Sequence, residues 1–153
     1  MRYFVLLGLC FISFFASAQL TLSGKVIEEF DLIGMPGVRI MTSDTLELAT
    51  TDLDGNFEIQ LPIQADTLLL GSVGMEWMLI KLPTNCSRLE MVMMPYVVYD
   101  FITARTQDRK RYRRFRSLSS KHKQAFEKGI FKSATPCFNY IFERYASRQI
   151  DPN

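Results

Sequence analysis

The chain contains a single histidine, His122, in 153 residues, and this scarcity argues against several classes of enzyme. A catalytic zinc site needs about three converging His or Glu ligands, and a Ser–His–acid triad would have to use this same histidine. His122 lies between Lys121 and Lys123, whose positive charges disfavour the imidazolium that a general base must become. We therefore interpret His122 as a solvated helix residue and predict neither a catalytic site nor a metal site.

Cysteine is also scarce, with three residues and no Cys-x-x-Cys pair, so the signature of a redox enzyme is missing. Cys10 lies in an apolar N-terminal stretch, which leaves Cys86 and Cys137 for the folded part. One bridge between these two is open to the chain, but we favour two unpaired thiols. No glycine-rich loop precedes a predicted helix, which argues against a phosphate cradle. These absences predict a protein that is not an enzyme and has no cofactor.

Long apolar runs are absent except at the N-terminus. Arg2 precedes an almost wholly apolar stretch from Phe4 to Phe15, and the small residues 16–18 follow. This order is typical of a signal peptide, and about a dozen apolar residues are fewer than the ~20 needed to span a membrane as a helix. We predict a signal peptide at residues 1–18, cleavage before Gln19, and export to the periplasm or cell envelope with no membrane span in the mature chain.

Charge is distributed unevenly along the chain. Residues 19–100 hold four Lys or Arg against twelve Asp or Glu, a net charge of −8, whereas residues 101–153 hold thirteen against four, a net charge of +9. The near-neutral total of +2 therefore conceals two opposed halves. We predict one domain over residues 19–97 and a basic extension over residues 98–153.

The acidic half consists of short segments in which apolar and polar residues alternate, separated by Gly, Pro or Asn. Their spacing of about ten residues, without a helical stretch among them, is typical of a small antiparallel β-sandwich. We predict a mainly β fold of seven strands over residues 19–97, followed by a C-terminal α-helical extension. The residues predicted to form its core are Val38, Ile40, Phe57, Ile59, Leu61, Leu68, Leu70, Ile80 and Leu82.

The segment TTDLDGNF, which begins at Thr50, resembles both a tight turn and part of a calcium loop. Gly55 supplies the positive φ that a tight reversal needs, and Asp52, Asp54 and Asn56 hydrogen-bond well to local backbone. An EF-hand places its glycine at position six and a Glu at position twelve. Here the glycine follows Asp54 directly and strand alternation begins at once, so we interpret the segment as a structural turn.

Five short motifs occur in order across the acidic half: Gly24-Lys25-Val26, Pro36-Gly37-Val38, Thr51-Asp52, Asp54-Gly55-Asn56-Phe57 and Ser72-Val73-Gly74. In this order and spacing, over about residues 20–95, the chain resembles the carboxypeptidase-regulatory-like domain, a transthyretin-like β-sandwich. The resemblance implies a seven-stranded module that folds, spaces or docks without chemistry of its own. It leaves open which partner such a module serves.

The basic half has a helical pattern. Aromatic and apolar residues recur every three or four positions across residues 106–128, and Gly129 is a suitable stop. A break at residues 118–120, where a serine can cap a new helix, stays open. A second short helix is predicted from Thr135 onward. Its apolar face would consist of Phe138, Ile141, Phe142 and Tyr145.

Within this half, residues 109–116 (RKRYRRFR) combine basic and aromatic side chains. The candidate binding residues are Arg109, Lys110, Arg111, Arg113, Arg114 and Arg116. Such clusters bind nucleic acid in many proteins, but the predicted export argues against a nucleic-acid partner. Two interpretations stay open, because Arg pairs with carboxylate and phosphate alike. These residues pair with the acidic face of their own sandwich, which we favour, or they bind an anionic component of the envelope.

The sequence as a whole favours an exported, non-catalytic binding or structural module of the bacterial cell envelope. Its expected partner is a protein or an anionic envelope component. The alternative is an accessory or regulatory subunit for a separately encoded peptidase or outer-membrane receptor. The two differ in whether a recurring enzyme or receptor co-purifies with the chain.

Overall fold

A computed structural model describes residues 20–62 and 65–145. Within them the chain forms eight strands and one helix, and the predicted signal peptide at residues 1–18 lies outside the described residues. The elements are β1 (Leu20–Glu28), β2 (Arg39–Thr42), β3 (Glu47–Thr50), β4 (Asn56–Leu61), β5 (Thr67–Gly71), β6 (Met78–Lys81), β7 (Arg88–Met93), α1 (Ala104–Glu127) and β8 (Asn139–Ile141).

The strands form two sheets. One has the order β4-β1-β7, in which β1 pairs antiparallel with β4 and parallel with β7. The other has the order β3-β2-β5-β6-β8 with antiparallel pairs throughout. The prediction of a mainly β fold with a C-terminal helix is confirmed. Seven strands, β1–β7, lie within the predicted range, and the chain adds an eighth, β8, after the helix, which the sequence did not predict.

The core lies between the two sheets and draws on both of them. All nine residues predicted to be buried are buried, with between 0 and 8% of their surface exposed. In β4 the buried side chains alternate with exposed ones, which is the period-two pattern that the sequence shows. Strand β7 is different, because its last five residues are all buried. Helix α1 packs against β7, and this contact covers the face that would otherwise meet solvent.

The ends of helix α1 lie at residues whose types favour helix termini. Thr103 caps its N-terminus, since its side chain accepts a hydrogen bond from the backbone N–H of Thr106 (3.3 Å), as N-cap threonines do. Gly129 follows the helix with φ +73°, the left-handed conformation that ends many helices. The helix continues through residues 118–120 without a break, because Leu118 is buried against the core.

The predicted second helix from Thr135 is wrong, because part of this segment forms β8, which pairs with β6. Phe138 is buried and Tyr140 is half-buried, whereas Asn139 and Ile141 are exposed, so the segment also satisfies an alternating pattern. The Tyr140 hydroxyl accepts a hydrogen bond from the N–H of Val92 in β7 (2.8 Å). Pairing with a sheet edge and with β7 therefore outweighs the local helical spacing.

Cys86 and Cys137 form a disulfide with their Cα atoms 5.4 Å apart, so the expectation of two unpaired thiols is wrong. Cys86 lies between β6 and β7, and Cys137 lies shortly before β8. The bridge holds the segment after the helix against the start of β7. The two residues are 51 positions apart in sequence, and nothing in their local pattern marks them as a pair.

Candidate functional site

Helix α1 divides the clustered basic residues between its two faces. Its buried side chains follow one another at intervals of three, four or seven residues, as on the inward side of an amphipathic helix; they are Asp108, Arg111, Leu118, His122 and Ala125. Of the six candidate binding residues, Arg111 is buried and Arg114 is half-buried, and both turn toward the sheets. The other four are exposed.

Arg111 forms a buried ion network. Its Nε lies 2.9 and 2.7 Å from the two carboxylate oxygens of Glu76, and its Nη2 lies 2.5 Å from Oε2. Its Nη1 donates to Asp108 Oδ1 and to the carbonyl oxygen of Glu143, each at 3.0 Å. The guanidinium also stacks on Tyr145, 3.6 Å from the ring centroid. Burial disfavours the charged guanidinium, but Glu76, with smaller contributions from Tyr145 and Asp108, outweighs this effect and raises the pKa of Arg111.

Arg114 joins two loops to the helix. Its Nε and Nη2 donate to the two carboxylate oxygens of Glu29 at 2.9 and 2.8 Å, and Nη2 also donates to the Pro95 carbonyl at 3.1 Å. Burial disfavours its charge, yet the bidentate contact with Glu29 raises the pKa of Arg114. Both inward arginines therefore pair with carboxylates of residues 19–97. For these two residues, this agrees with the interpretation that the basic cluster pairs with the acidic half of its own chain.

The other basic residues in the first half of α1 face solvent. We use the term basic face for Arg105, Arg109, Lys110, Arg113 and Arg116, all of them exposed. A rise of 1.5 Å per residue spreads them over about 16 Å of helix. The one acid between residues 104 and 116 is Asp108, which is buried against Arg111. Among the described residues, no member of the basic face has an ion-pair partner.

Sequence reasoning missed Arg105 because it precedes the RKRYRRFR cluster. Arg105, Arg109 and Arg113 follow one another at intervals of four residues, which places the three side chains on one side of the helix. Lys110 lies over the Tyr99 ring, 4.6 Å from the centroid, and this contact links the basic face to the segment before the helix. The arrangement presents a cationic surface without a competing exposed carboxylate on the same stretch of helix.

The segment around Asp52 forms a tight turn between β3 and β4. Asp52 Oδ1 accepts hydrogen bonds from the backbone N–H groups of Asp54 (3.0 Å) and Asn56 (2.7 Å). These bonds, led by the one from Asn56, lower the pKa of the exposed Asp52 carboxyl. Gly55 has φ +79°, and a Cβ there would collide with the carbonyl oxygen of Val26. The carboxylate therefore acts as an acceptor for the turn backbone.

His122 is fully buried, so its interpretation as a solvated residue is wrong. Its ring packs on Phe131 with 4.7 Å between centroids, and its Nε2 lies 3.0 Å from the carbonyl oxygen of Ser133. Because a carbonyl only accepts, Nε2 carries the proton. The helical spacing of His122 with Leu118 and Ala125, both buried, is the sequence signal that marks it as inward-facing.

Glu90 holds the segment that covers His122. Its carboxylate accepts hydrogen bonds from the backbone N–H groups of Lys132 (2.8 Å) and Ser133 (3.0 Å) and from Arg88 Nε (3.0 Å). A cavity of about 290 Å³, lined in part by these residues and by His122, opens beside it. Since the carboxylate already accepts three hydrogen bonds, Glu90 acts as a structural acceptor and not as a free base.

Burial of His122 predicts a pH-dependent stability. Burial lowers its pKa, and the Ser133 carbonyl and Glu90 offset this only in part. The unfolded chain therefore binds a proton more readily than the folded one, so stability is full above the unfolded pKa of about 6.5 and falls as the pH drops below it. Urea unfolding between about pH 7.5 and about pH 5.5 checks this, with a limiting slope of about 1.4 kcal/mol per pH unit.

The control for this pH effect is His122→Gln, which keeps an N–H donor for Ser133 but does not titrate. Because the chain has one histidine, this variant is expected to lose the slope in that pH range. An unchanged slope in the variant would contradict the assignment to His122.

A second cavity, of about 350 Å³, lies near Arg111 and is lined by Met75, Glu76, Trp77, Tyr96, Glu143 and Tyr145 among others. The charged groups of Arg111 and Glu76 that line this cavity form an ion pair with each other. Within residues 20–62 and 65–145, no group of three or more His, Cys, Asp or Glu side chains is placed to hold a metal ion.

In the part of the chain that the structure describes, no helix combines the length and apolar character needed to cross a membrane. No family model matches the chain, and no curated protein matches it.

Proposed function

We propose that the protein is an exported, non-catalytic binding module of the cell envelope, in which a β-sandwich of the transthyretin-like type supports a helix that binds an anionic envelope component. The observation that carries the proposal is the division of the basic cluster. Arg111 and Arg114 are held by acids of the chain itself, whereas the basic face is exposed and, in the part of the chain that the structure describes, forms no ion pair. A cationic surface kept free of its own counter-charges suits an external anion.

Two features support an exported location. The N-terminal residues follow the order of a signal peptide, and the Cys86–Cys137 disulfide suits an oxidising compartment. Export also favours phosphate or carboxylate groups of the envelope over nucleic acid as the natural anion. N-terminal sequencing of the exported protein is expected to begin at Gln19.

Binding to sodium polyphosphate, a soluble probe with the same phosphate chemistry, tests the role of the basic face. We expect an affinity that falls with salt, because each phosphate bound by a cation releases a counterion. In the triple variant Arg109→Gln, Arg113→Gln, Arg116→Gln the logarithmic salt slope is expected to be smaller by about two, at roughly 0.7 for each arginine replaced. Calorimetric titration at several salt concentrations measures both quantities.

The matched control removes the same charge from the other end of the same helix region: Lys121→Gln, Lys123→Gln, Lys128→Gln. Of these lysines, Lys123 has one exposed ion pair, with Glu127 at 3.9 Å, which contributes little to stability. We expect this control to keep most of the wild-type affinity and slope. Equal reductions in the two triple variants would show that net charge, and not the basic face, governs binding, and the proposal would then fail.

A further inference from the structure

Three loops meet at the end of the sheets where α1 begins: residues 29–33, 72–77 and 94–103. Arg114 joins the first loop to the third by binding both Glu29 and the Pro95 carbonyl. The N–H of Tyr96 donates to the carbonyl oxygen of Gly74 (2.9 Å), which joins the third loop to the second. We call these three loops together the docking end.

The docking end exposes large apolar side chains at its loop tips. Phe101 and Val73 are fully exposed, at 106% and 101%, and Val98 is 70% exposed. Phe30 and Ile33 on the first loop are more than half exposed. Burying such side chains is worth roughly 1.5–3 kcal/mol each, so the isolated fold forgoes that stabilisation. Leu46, in contrast, is an exposed apolar residue in the β2–β3 turn, at the opposite end of the five-stranded sheet.

Phe101 also has an unusual backbone conformation, with φ +58°. A bulky residue in the left-handed region costs roughly 1–2 kcal/mol, and its exposed ring recovers none of this in the described fold. The strained turn places the ring outward, two residues before the helix cap at Thr103. Strain of this kind is typical of functional loops.

Beside the apolar tips, the docking end has amphipathic aromatic rings, and the basic face begins next to them. Trp77 and Tyr96 are half-exposed, at 55% and 47%, and amphipathic rings of this type favour the headgroup level of a bilayer. The basic face begins at Arg105, four residues after Phe101, and Lys110 contacts Tyr99 of the third loop. The exposed carboxylates on these loops are Asp31 and Asp100, fewer than the five cations of the basic face.

We propose that the docking end and the basic face together bind the surface of a bilayer that contains anionic lipid. This inference rests on the proposed function and names its ligand. The apolar tips enter the boundary between headgroups and acyl chains, and the arginines contact lipid phosphates. A soluble phosphate polymer offers nothing to Phe101, Val73 or Val98, so the protruding tips favour a lipid surface over it. A flat protein interface is disfavoured because the two most exposed side chains, Phe101 and Val73, protrude from separate loops.

Vesicle binding tests the inference, with the protein isolated in the processed form that the cell exports. We expect it to float with vesicles of phosphatidylglycerol and phosphatidylcholine and to bind pure phosphatidylcholine vesicles at least about ten-fold more weakly. The chain has one tryptophan, Trp77, so its fluorescence reports the docking end directly. Binding is expected to shift the emission to the blue and to allow quenching by lipids with brominated acyl chains.

The decisive variant is Val73→Ser, Val98→Ser, Phe101→Ser, which removes three apolar tips and no charge. It is expected to weaken vesicle binding by about a hundred-fold and to bind polyphosphate as the wild type does. Leu46→Ser, an exposed apolar change at the opposite end, is the matched control and leaves both affinities unchanged. All variants carry the same N-terminus, so differences between them report the loops.

The outcomes separate this inference from the proposed function. A wild-type protein that binds polyphosphate but not anionic vesicles would overturn the lipid inference and leave the proposed function intact. Vesicle binding that the triple serine variant retains in full would overturn the role of the docking end. Failure to bind either probe would overturn both proposals. Binding to a defined envelope protein, without binding to lipid, would overturn the assignment of the bilayer as the partner.

Discussion

Replacing Arg111 with methionine is expected to lower the free energy of unfolding by about 3–5 kcal/mol. The side chain of Glu76 is 2% exposed and that of Arg111 5% exposed, so the substitution leaves a buried carboxylate without the guanidinium that neutralises it. Breaking a buried ion pair from one side costs more than the pair itself contributes, because the surviving charge keeps its desolvation penalty. Urea unfolding at neutral pH measures the decrease.

Two further variants separate this cause from a general disturbance of the helix. Arg113→Met makes the same change two residues away at an exposed position, and is expected to change stability by less than about 0.5 kcal/mol. Adding Glu76→Met to Arg111→Met removes the stranded carboxylate, so the double variant is expected to be more stable than Arg111→Met alone. An Arg111→Met protein within about 1 kcal/mol of wild type would contradict the network's role.

The features that the sequence predicted are those set by local pattern. Alternation of apolar and polar residues identified the buried positions of the strands, for example Phe57, Ile59 and Leu61, because strand side chains alternate between faces whatever the partner strand is. Helix α1 was predictable to within two residues at each end, because its spacing and the glycine that follows it are local signals.

The features that sequence reasoning missed depend on contacts between distant parts of the chain. Arg114 and Glu29 are 85 residues apart, and Tyr140 and Val92 are 48 apart. Helical spacing from Leu118 places Arg111 and Arg114 on the inward side of the helix. The carboxylates that pair with them there come from Glu76 and Glu29, 35 and 85 residues earlier in the chain, and local spacing does not contain that information. The predicted helix from Thr135 fails for the same reason, since a residue pattern compatible with two structures adopts the one that a neighbouring sheet edge stabilises.

The basic cluster RKRYRRFR therefore differs from the candidate binding surface in two ways: it includes two arginines that do not face solvent, and it leaves out one that does. Arg111 and Arg114 act as structural residues that fix the helix to the sheets, and Arg105 joins the solvent-facing group. The fixed orientation of α1 determines which cations are displayed, so the inward pairs position the basic face without being part of it.

Removal of the disulfide, with Cys86→Ala and Cys137→Ser, is expected to destabilise the protein by about 4 kcal/mol. The bridge closes a loop of 51 residues, which contains β7 and α1. In the chain-entropy account, a crosslink over a loop of this length restricts the unfolded chain by that amount, between about 3 kcal/mol for 15 residues and about 4.7 for 100. Alanine suits the buried position 86, because a serine hydroxyl there would lose its hydration, whereas position 137 is exposed.

Unfolding in the presence of dithiothreitol supplies the control for this double variant. The reductant is expected to lower the stability of the wild type toward that of the variant and to leave the variant unchanged, because the variant has no bond to reduce. If the variant unfolded within about 1 kcal/mol of the oxidised wild type, the segment from Phe131 to Ile141 would be held by Glu90, Tyr140 and the β6–β8 pairing alone. The chain-entropy account predicts instead that the variant is less stable by about 4 kcal/mol even though those contacts remain. The contacts stabilise the folded state, whereas the crosslink restricts the unfolded chain.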